Sequence, residues 1–199
     1  KLNNYTLVEL INRHPDYQKF HSPEYSRVLE AMGHVDRKKF LPDTPFSLMV
    51  VDGKAFEMMR EVMLLMHLAE DQKSRITEKL ILPGAAPPQV EYEKAQLALL
   101  AGLIESATRV VFSGNVCYVT ARDAAYNDSI LPIGYNQTCS EPSLTAFMLY
   151  SLELKEGMRV LEVGSGCGYS AAITSELIGP SGYLVTMERI PELAELAKS

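Results

Sequence analysis

Arg159-Val160-Leu161-Glu162-Val163 runs directly into Gly164-Ser165-Gly166-Cys167-Gly168, and one helical stretch later comes Tyr183-Leu184-Val185-Thr186-Met187-Glu188. An apolar, β-branched run ending in glycines predicts a strand that closes in a tight loop. Ser170 to Leu177 reads as a helix, Gly179-Pro180-Ser181-Gly182 as the turn that stops it, Tyr183 to Met187 as a second strand, and Pro191 as the start of another helix. Strand, glycine loop, helix, strand is the opening of a doubly wound sheet. The expected fold class is α/β: the first half of a Rossmann-like doubly wound core, preceded by a mainly helical N-terminal region and insert.

Glycines at such a junction let a ligand approach the backbone closely, and the helix start offers unpaired N–H donors to an anion or carboxylate. The dinucleotide fingerprint GxGxxG would need glycine at position 169, which is Tyr169, so the nicotinamide reading weakens. Glu188, at the end of the next strand, stands where an acidic side chain can take both hydroxyls of a ribose. S-adenosylmethionine carries both hydroxyls free and fits that pair, so the core is expected to be a methyltransferase core with that cofactor.

Upstream of the core, Ser143 to Leu154 repeats at helical period through Leu144, Phe147, Met148 and Leu152, and Leu131 to Tyr135 reads as an extended, turn-rich loop. Two β runs, Arg109 to Phe112 and Val116 to Val119, flank Ser113-Gly114-Asn115 as a hairpin. Helices are expected at about 92–106 and, with Met59, Met63 and Met66 on one face, from Asp52 onward. Leu82 to Pro88 breaks the chain between them. Thr6-Leu7-Val8-Glu9 has the pattern of a capping box ahead of inward-facing Leu7, Leu10 and Ile11. Ser22-Pro23 predicts the cap of a helix carrying Val28, Leu29, Met32 and Val35. Arg37-Lys38-Lys39 reads as a solvated helix end.

The 199 residues hold 19 Lys+Arg against 25 Asp+Glu, a formal charge of −6, with 47% hydrophobic residues. Such an acidic chain lacks the charge that drives counterion release, so no nucleic acid partner is expected. No window has the roughly 18 apolar residues of a membrane span, and no membrane partner is expected; the default is a cytoplasmic protein. Cys117, Cys139 and Cys167 fit neither a metal clamp nor a disulfide framework, and His14, His21, His34 and His67 lack ligand spacing, so no metal is expected.

Four stretches resemble protein-L-isoaspartate O-methyltransferases in the same order and spacing: Ala125 to Asp128, Leu131 to Pro142 with its Gln137-Thr138-Cys139-Ser140-Glu141-Pro142, Val160 to Tyr169, and Met187 to Leu193. Val28 to Pro42 is similar to the N-terminal helix of the same family. The resemblance implies methyl transfer from S-adenosylmethionine to the α-carboxylate of isoaspartyl residues in damaged proteins, a repair activity whose partners are isoaspartyl-containing proteins or peptides. It implies Ser140, with Thr138 beside it, as the catalytic pair gripping the substrate carboxylate, and Asp128 with Ser140 as substrate-binding. It implies a cofactor set of Gln137, Glu162, Gly164, Ser165, Gly166, Cys167, Gly168 and Glu188. A carboxylate of pKa about 3.5–4 is already ionised near neutral pH, so no general base is demanded. Ser140-Glu141-Pro142 is equally a helix N-cap, and Asp128 equally a turn residue. Cys139 stands where an aliphatic residue is expected, and nothing in the local sequence would lower its pKa.

An insert after Pro42 and the short run after Gly164 depart from that family's pattern, and the domain reading has three parts: 1–43 as the N-terminal helical segment, 44–123 as an inserted, mainly helical subdomain with the hairpin, and 124–199 as the substrate loop and first half of the core. The insert, or an open sheet edge, is a candidate surface for self-association. Only two strands of the core fall within the chain, so further βα units, or another chain, are expected to complete its sheet. Two alternatives stand beside the repair enzyme: a methyltransferase with another acceptor, and a non-catalytic interaction module built on a vestigial core.

Overall fold

The computed structural model describes residues 3–43, 45–50, 111–113 and 116–198. The Met-rich helix, the proline break and the helix at about 92–106 lie outside them. Helix α1 (Asn4–Asn12) buries Leu7, Leu10 and Ile11 as their spacing requires, but Asn3, not Thr6, is its N-cap: Asn3 Oδ1 accepts from Thr6 N at 3.1 Å. Asparagine takes the orphan N–H of Thr6, three residues before the cap expected from the box, so the helix starts earlier. Helix α2 (Pro23–His34) begins at Ser22, whose Oγ accepts from Tyr25 N at 3.2 Å, and buries Tyr25, Val28, Leu29, Ala31 and Met32. It is the central helix, packing on α1, on α3 (Pro142–Ser151) and on α4 (Tyr169–Ile178).

Three sheets lie among the described residues. In the first, β1 (Pro45–Val50) and β2 (Val111–Ser113) flank β3 (Val116–Thr120), all antiparallel. The expected hairpin is present, with Ser113 opposite Val116, and β1 is a strand the sequence did not announce. The second sheet corrects the loop reading of 131–135: β4 (Leu131–Gly134) and β5 (Gln137–Cys139) form a hairpin around Tyr135 and Asn136, both at φ 53°. Two positive-φ residues are what a two-residue turn needs to match strand twist, and Asn tolerates that region. The third sheet pairs β6 (Arg159–Val163) with β7 (Tyr183–Met187) in parallel through α4, and α5 (Pro191–Lys198) follows. This is one βαβ unit of a Rossmann-like core. Among the described residues, β7 is the one strand paired with β6.

Helix α3 forms where its periodicity says, but turned. Ser143, Thr145, Ala146 and Leu149 are buried, whereas Leu144, Met148 and Leu152 are 38%, 45% and 60% exposed. The small side chains let α3 approach α2 closely, an advantage that a count of apolar residues does not register. One apolar cluster runs from Leu7 through Met32, Cys139 and Ala146 to Ile173 and Leu193, so the five α-helices of the described residues share a core.

Candidate functional site

Between the β4–β5 hairpin and the end of β7 lies a cleft of about 450 Å³. Gln137 and Thr138 line one wall, and Gly164, Gly166, Met187 and Glu188 line the other. The loop between β6 and α4 is held by β7: Gly164 N and Ser165 N both donate to Met187 O, at 2.7 and 3.1 Å. Gly164 has φ 91°, and a Cβ added there would meet nothing within 4 Å, so it faces open space. Gly168 has φ 87° for a different reason: a Cβ there would stand 3.2 Å from the backbone of Ala197 in α5. No side chain caps α4 at Gly168, leaving its first turn open to an anionic group.

Glu188 ties the loop together. Its Oε2 accepts from Gly166 N and its Oε1 from Ile190 N, each at 3.0 Å, and these N–H donors hold its carboxyl below the ordinary range. The acid one strand later is thus an anchor of the glycine loop. Glu162 accepts from Thr186 Oγ1 at 2.6 Å and stands outside the cleft lining. Ser165 and Cys167 are buried, at 8% and 3% exposure, as backbone positions of the turn.

On the hairpin side, Thr138 and Ser140 are exposed, and the Ser140 hydroxyl makes no hydrogen bond within the described residues. The alternative N-cap role is not what the structure shows: α3 starts after Glu141, and Asp128, 4% exposed, caps it by accepting from Ser143 N at 2.8 Å. Asp128 therefore sets the direction in which the 140–143 segment leaves β5, and its carboxylate is committed to α3.

The largest difference from the sequence reading is Arg37. It is fully buried, not a solvated helix end. Its guanidinium donates to the carbonyls of Ala125 (3.2 Å), Asn127 (2.9 Å), Ser129 (2.9 Å) and Ser140 (3.0 Å) and to Cys139 Sγ at 3.7 Å. Tyr169 covers it, ring centroid 5.8 Å from Cζ. The local sequence carries no signal for this, because the partner carbonyls lie 88 to 103 positions away. The expectation that nothing lowers the Cys139 pKa is also corrected. A hydrogen bond from the Cys167 thiol and the Arg37 cation pull Cys139 down, while Cys139 and burial push Cys167 up.

Residues 102–199 match the family model protein-L-isoaspartate(D-aspartate) O-methyltransferase. This segment is similar to that family. Protein-L-isoaspartate O-methyltransferase 1 of Archaeoglobus fulgidus is 58% identical over 77 residues, 39% of this chain and 36% of that protein. Protein-L-isoaspartate O-methyltransferase of Methanothrix thermoacetophila is 57% identical over 77 residues, 39% and 37% respectively. The chain spans just over a third of the length of the curated relatives it matches. A solved structure named protein-L-isoaspartate O-methyltransferase overlays 98% of this chain and 37% of its own at 19% identity and TM-score 0.48, too loose a superposition to bear on the site. The family match begins at residue 102, upstream of the 124 boundary read from the motifs.

Proposed function

We propose that this protein transfers a methyl group from S-adenosylmethionine to the α-carboxylate of isoaspartyl residues in damaged proteins. The observation that carries the reading is the cleft itself. The glycine loop and Glu188 form one wall, and the hairpin leading to an unbonded, exposed Ser140 hydroxyl forms the other. The names and 53–58% identities of the relatives support it.

The residues present fit the cofactor. Gly164 leaves open space where any side chain would intrude, the start of α4 is uncapped and suits a carboxylate, and Glu188 stands at the end of β7 for a ribose. When bound, S-adenosylmethionine supplies an electrophilic methyl on a sulfonium sulfur. Within this chain, Gly164, Gly166 and Glu188 hold it, with Gln137 above and Ser165, Cys167 and Gly168 shaping the turn. Glu162 would act from beside the loop. Ser140, exposed just past the cleft lining, would donate its hydroxyl to one oxygen of the incoming carboxylate, with Thr138 in the cleft wall beside it and Asp128 fixing the start of α3 next to it. An ionised carboxylate needs no base, so the protein's share is alignment and exclusion of water. Among the described residues no group of three potential metal ligands gathers, and no helix is long and apolar enough to cross a membrane.

The division into 1–43, 44–123 and 124–199, a cytoplasmic location, and self-association through 44–123 or the β6 edge belong to the same proposal. The test is radiolabelled methyl transfer by the protein from its complete reading frame, to an isoaspartyl peptide and to its aspartyl twin. Label in the first alone supports the reading; label in both, or in neither, overturns it. Ser140→Ala should lower kcat/KM about ten- to a hundredfold, the worth of a hydrogen bond to a charged group, while leaving the urea midpoint in place.

A further inference from the structure

Ser140 stands in a stretch of chain that neither a ladder nor a helix fixes. Strand β5 ends at Cys139, α3 begins at Pro142, and the side chain of the N-cap Glu141 makes no capping bond. What ties the stretch down is Arg37, 103 positions upstream, whose Nη2 donates to Ser140 O at 3.0 Å. The same guanidinium donates to the carbonyls of Ala125, Asn127 and Ser129 at 3.2, 2.9 and 2.9 Å. Those carbonyls belong to the segment carrying Asp128, whose carboxylate accepts from Ser143 N at 2.8 Å. One side chain thus fixes residues 140–143 at both ends, directly at Ser140 and through Asp128 at Ser143. The Tyr169 ring, its centroid 5.8 Å from Cζ, seats the cation against the first residue of α4, so the end of the hairpin is referenced to the helix that follows the glycine loop. The glycine loop itself has other anchors: Gly164 N and Ser165 N donate to Met187 O, and Gly166 N donates to Glu188. Arg37 is fully buried and outside the cleft lining, so it reaches no ligand there.

We propose that Arg37 is a positioning residue for the acceptor: acting through Ser140 and Asp128, it sets where the Ser140 hydroxyl stands relative to the glycine loop. The proposal rests on the methyl-transfer reading above. A planar fork spans carbonyls on two separate segments, whereas an ammonium offers its donors from a single point. Lysine at position 37 therefore keeps the charge, loses part of the fork and lets residues 140–143 relax. Methyl transfer needs the carboxylate oxygen in line with the methyl carbon and close to contact, and a misplacement of about 1 Å costs on the order of a hundredfold in rate. Support from behind the contacting residue is what holds such geometry. The loss falls on the acceptor and not on the cofactor, because the anchors of the glycine loop do not include Arg37.

The test compares the protein from its complete reading frame with Arg37→Lys, Arg37→Gln and Leu7→Ala, at a temperature where circular dichroism shows each fully folded. Leu7, buried in α1 and outside the cleft lining, controls for lost stability alone. For either Arg37 variant, kcat/KM for an isoaspartyl peptide should fall about tenfold or more, while the S-adenosylhomocysteine dissociation constant by calorimetry stays within about twofold. Leu7→Ala should keep both values. Hydrogen–deuterium exchange reads the positioning without turnover: amides of 125–129 and 139–143 should exchange about fivefold faster in the Arg37 variants, and those of 160–168 should not. Unchanged exchange at 139–143, acceptor and cofactor constants weakened in parallel, or an equal loss of activity in Leu7→Ala overturns the proposal. No turnover by the unaltered protein counts against the methyl-transfer reading alone, because the exchange pattern still decides where Arg37 acts.

Discussion

Arg37 is the hub that ties the 125–129 segment to the end of the β4–β5 hairpin. Its fork reaches carbonyls on both the 125–129 segment and Ser140, groups far apart in sequence that no helix or sheet ladder satisfies. Arg37→Met would leave these buried oxygens without their donor and should cost on the order of 3 kcal/mol in urea denaturation. Arg37→Lys should recover only part of that loss, because one ammonium cannot span the fork. Asn4 works in the same way on the other side of the 3₁₀ turn: its Nδ2 donates to the carbonyls of Met32, Gly33 (3.1 Å) and Val35 (2.9 Å) at the end of α2. Neither role was legible in sequence, because an arginine flanked by lysines and an asparagine near a chain start look solvated until their long-range partners are known.

Helix α3 shows how local pattern and packing part company. Its existence followed from periodicity, but its buried face was chosen by the small residues that fit against α2, and its cap came from Asp128, fifteen positions away. The far end of α3 carries a local cost. Glu153 follows the C-cap Leu152 at φ 50°, donating to Tyr150 O at 3.0 Å, a position that suits glycine. Glu153→Gly should raise stability by about 0.5–1 kcal/mol, read as a higher urea midpoint with an unchanged slope. By contrast, the βαβ unit matched its reading closely: Tyr169–Ile178 and Tyr183–Met187 were set by glycine, proline and apolar runs acting over a few residues.

Across the described residues, the same burial that joins the helices to one core also shapes the response to alkali. Tyr126 is pushed from its ordinary 10.0 to about 12 by burial and by its hydrogen bond to Asp36 Oδ1 at 3.0 Å. Because the folded value is the higher one, this contribution to stability is complete below about pH 10 and disappears as pH rises through 12. Chemical denaturation from pH 9 upward should therefore show a falling midpoint, and Tyr126→Phe should flatten that fall. A fall unchanged in Tyr126→Phe would assign it to other groups.

The chain's own pattern determined the α/β class and the glycine loop with its acid one strand later, because each is written in neighbouring residues whose backbone preferences act locally. Tertiary structure decided which charges go inside, which face of α3 is buried, that Asp128 caps a helix, and that Arg37 lies against the Cys139 sulfur. Those outcomes depend on which surfaces come together, and burial changes the free energy of a polar group only once its distant partners have closed around it.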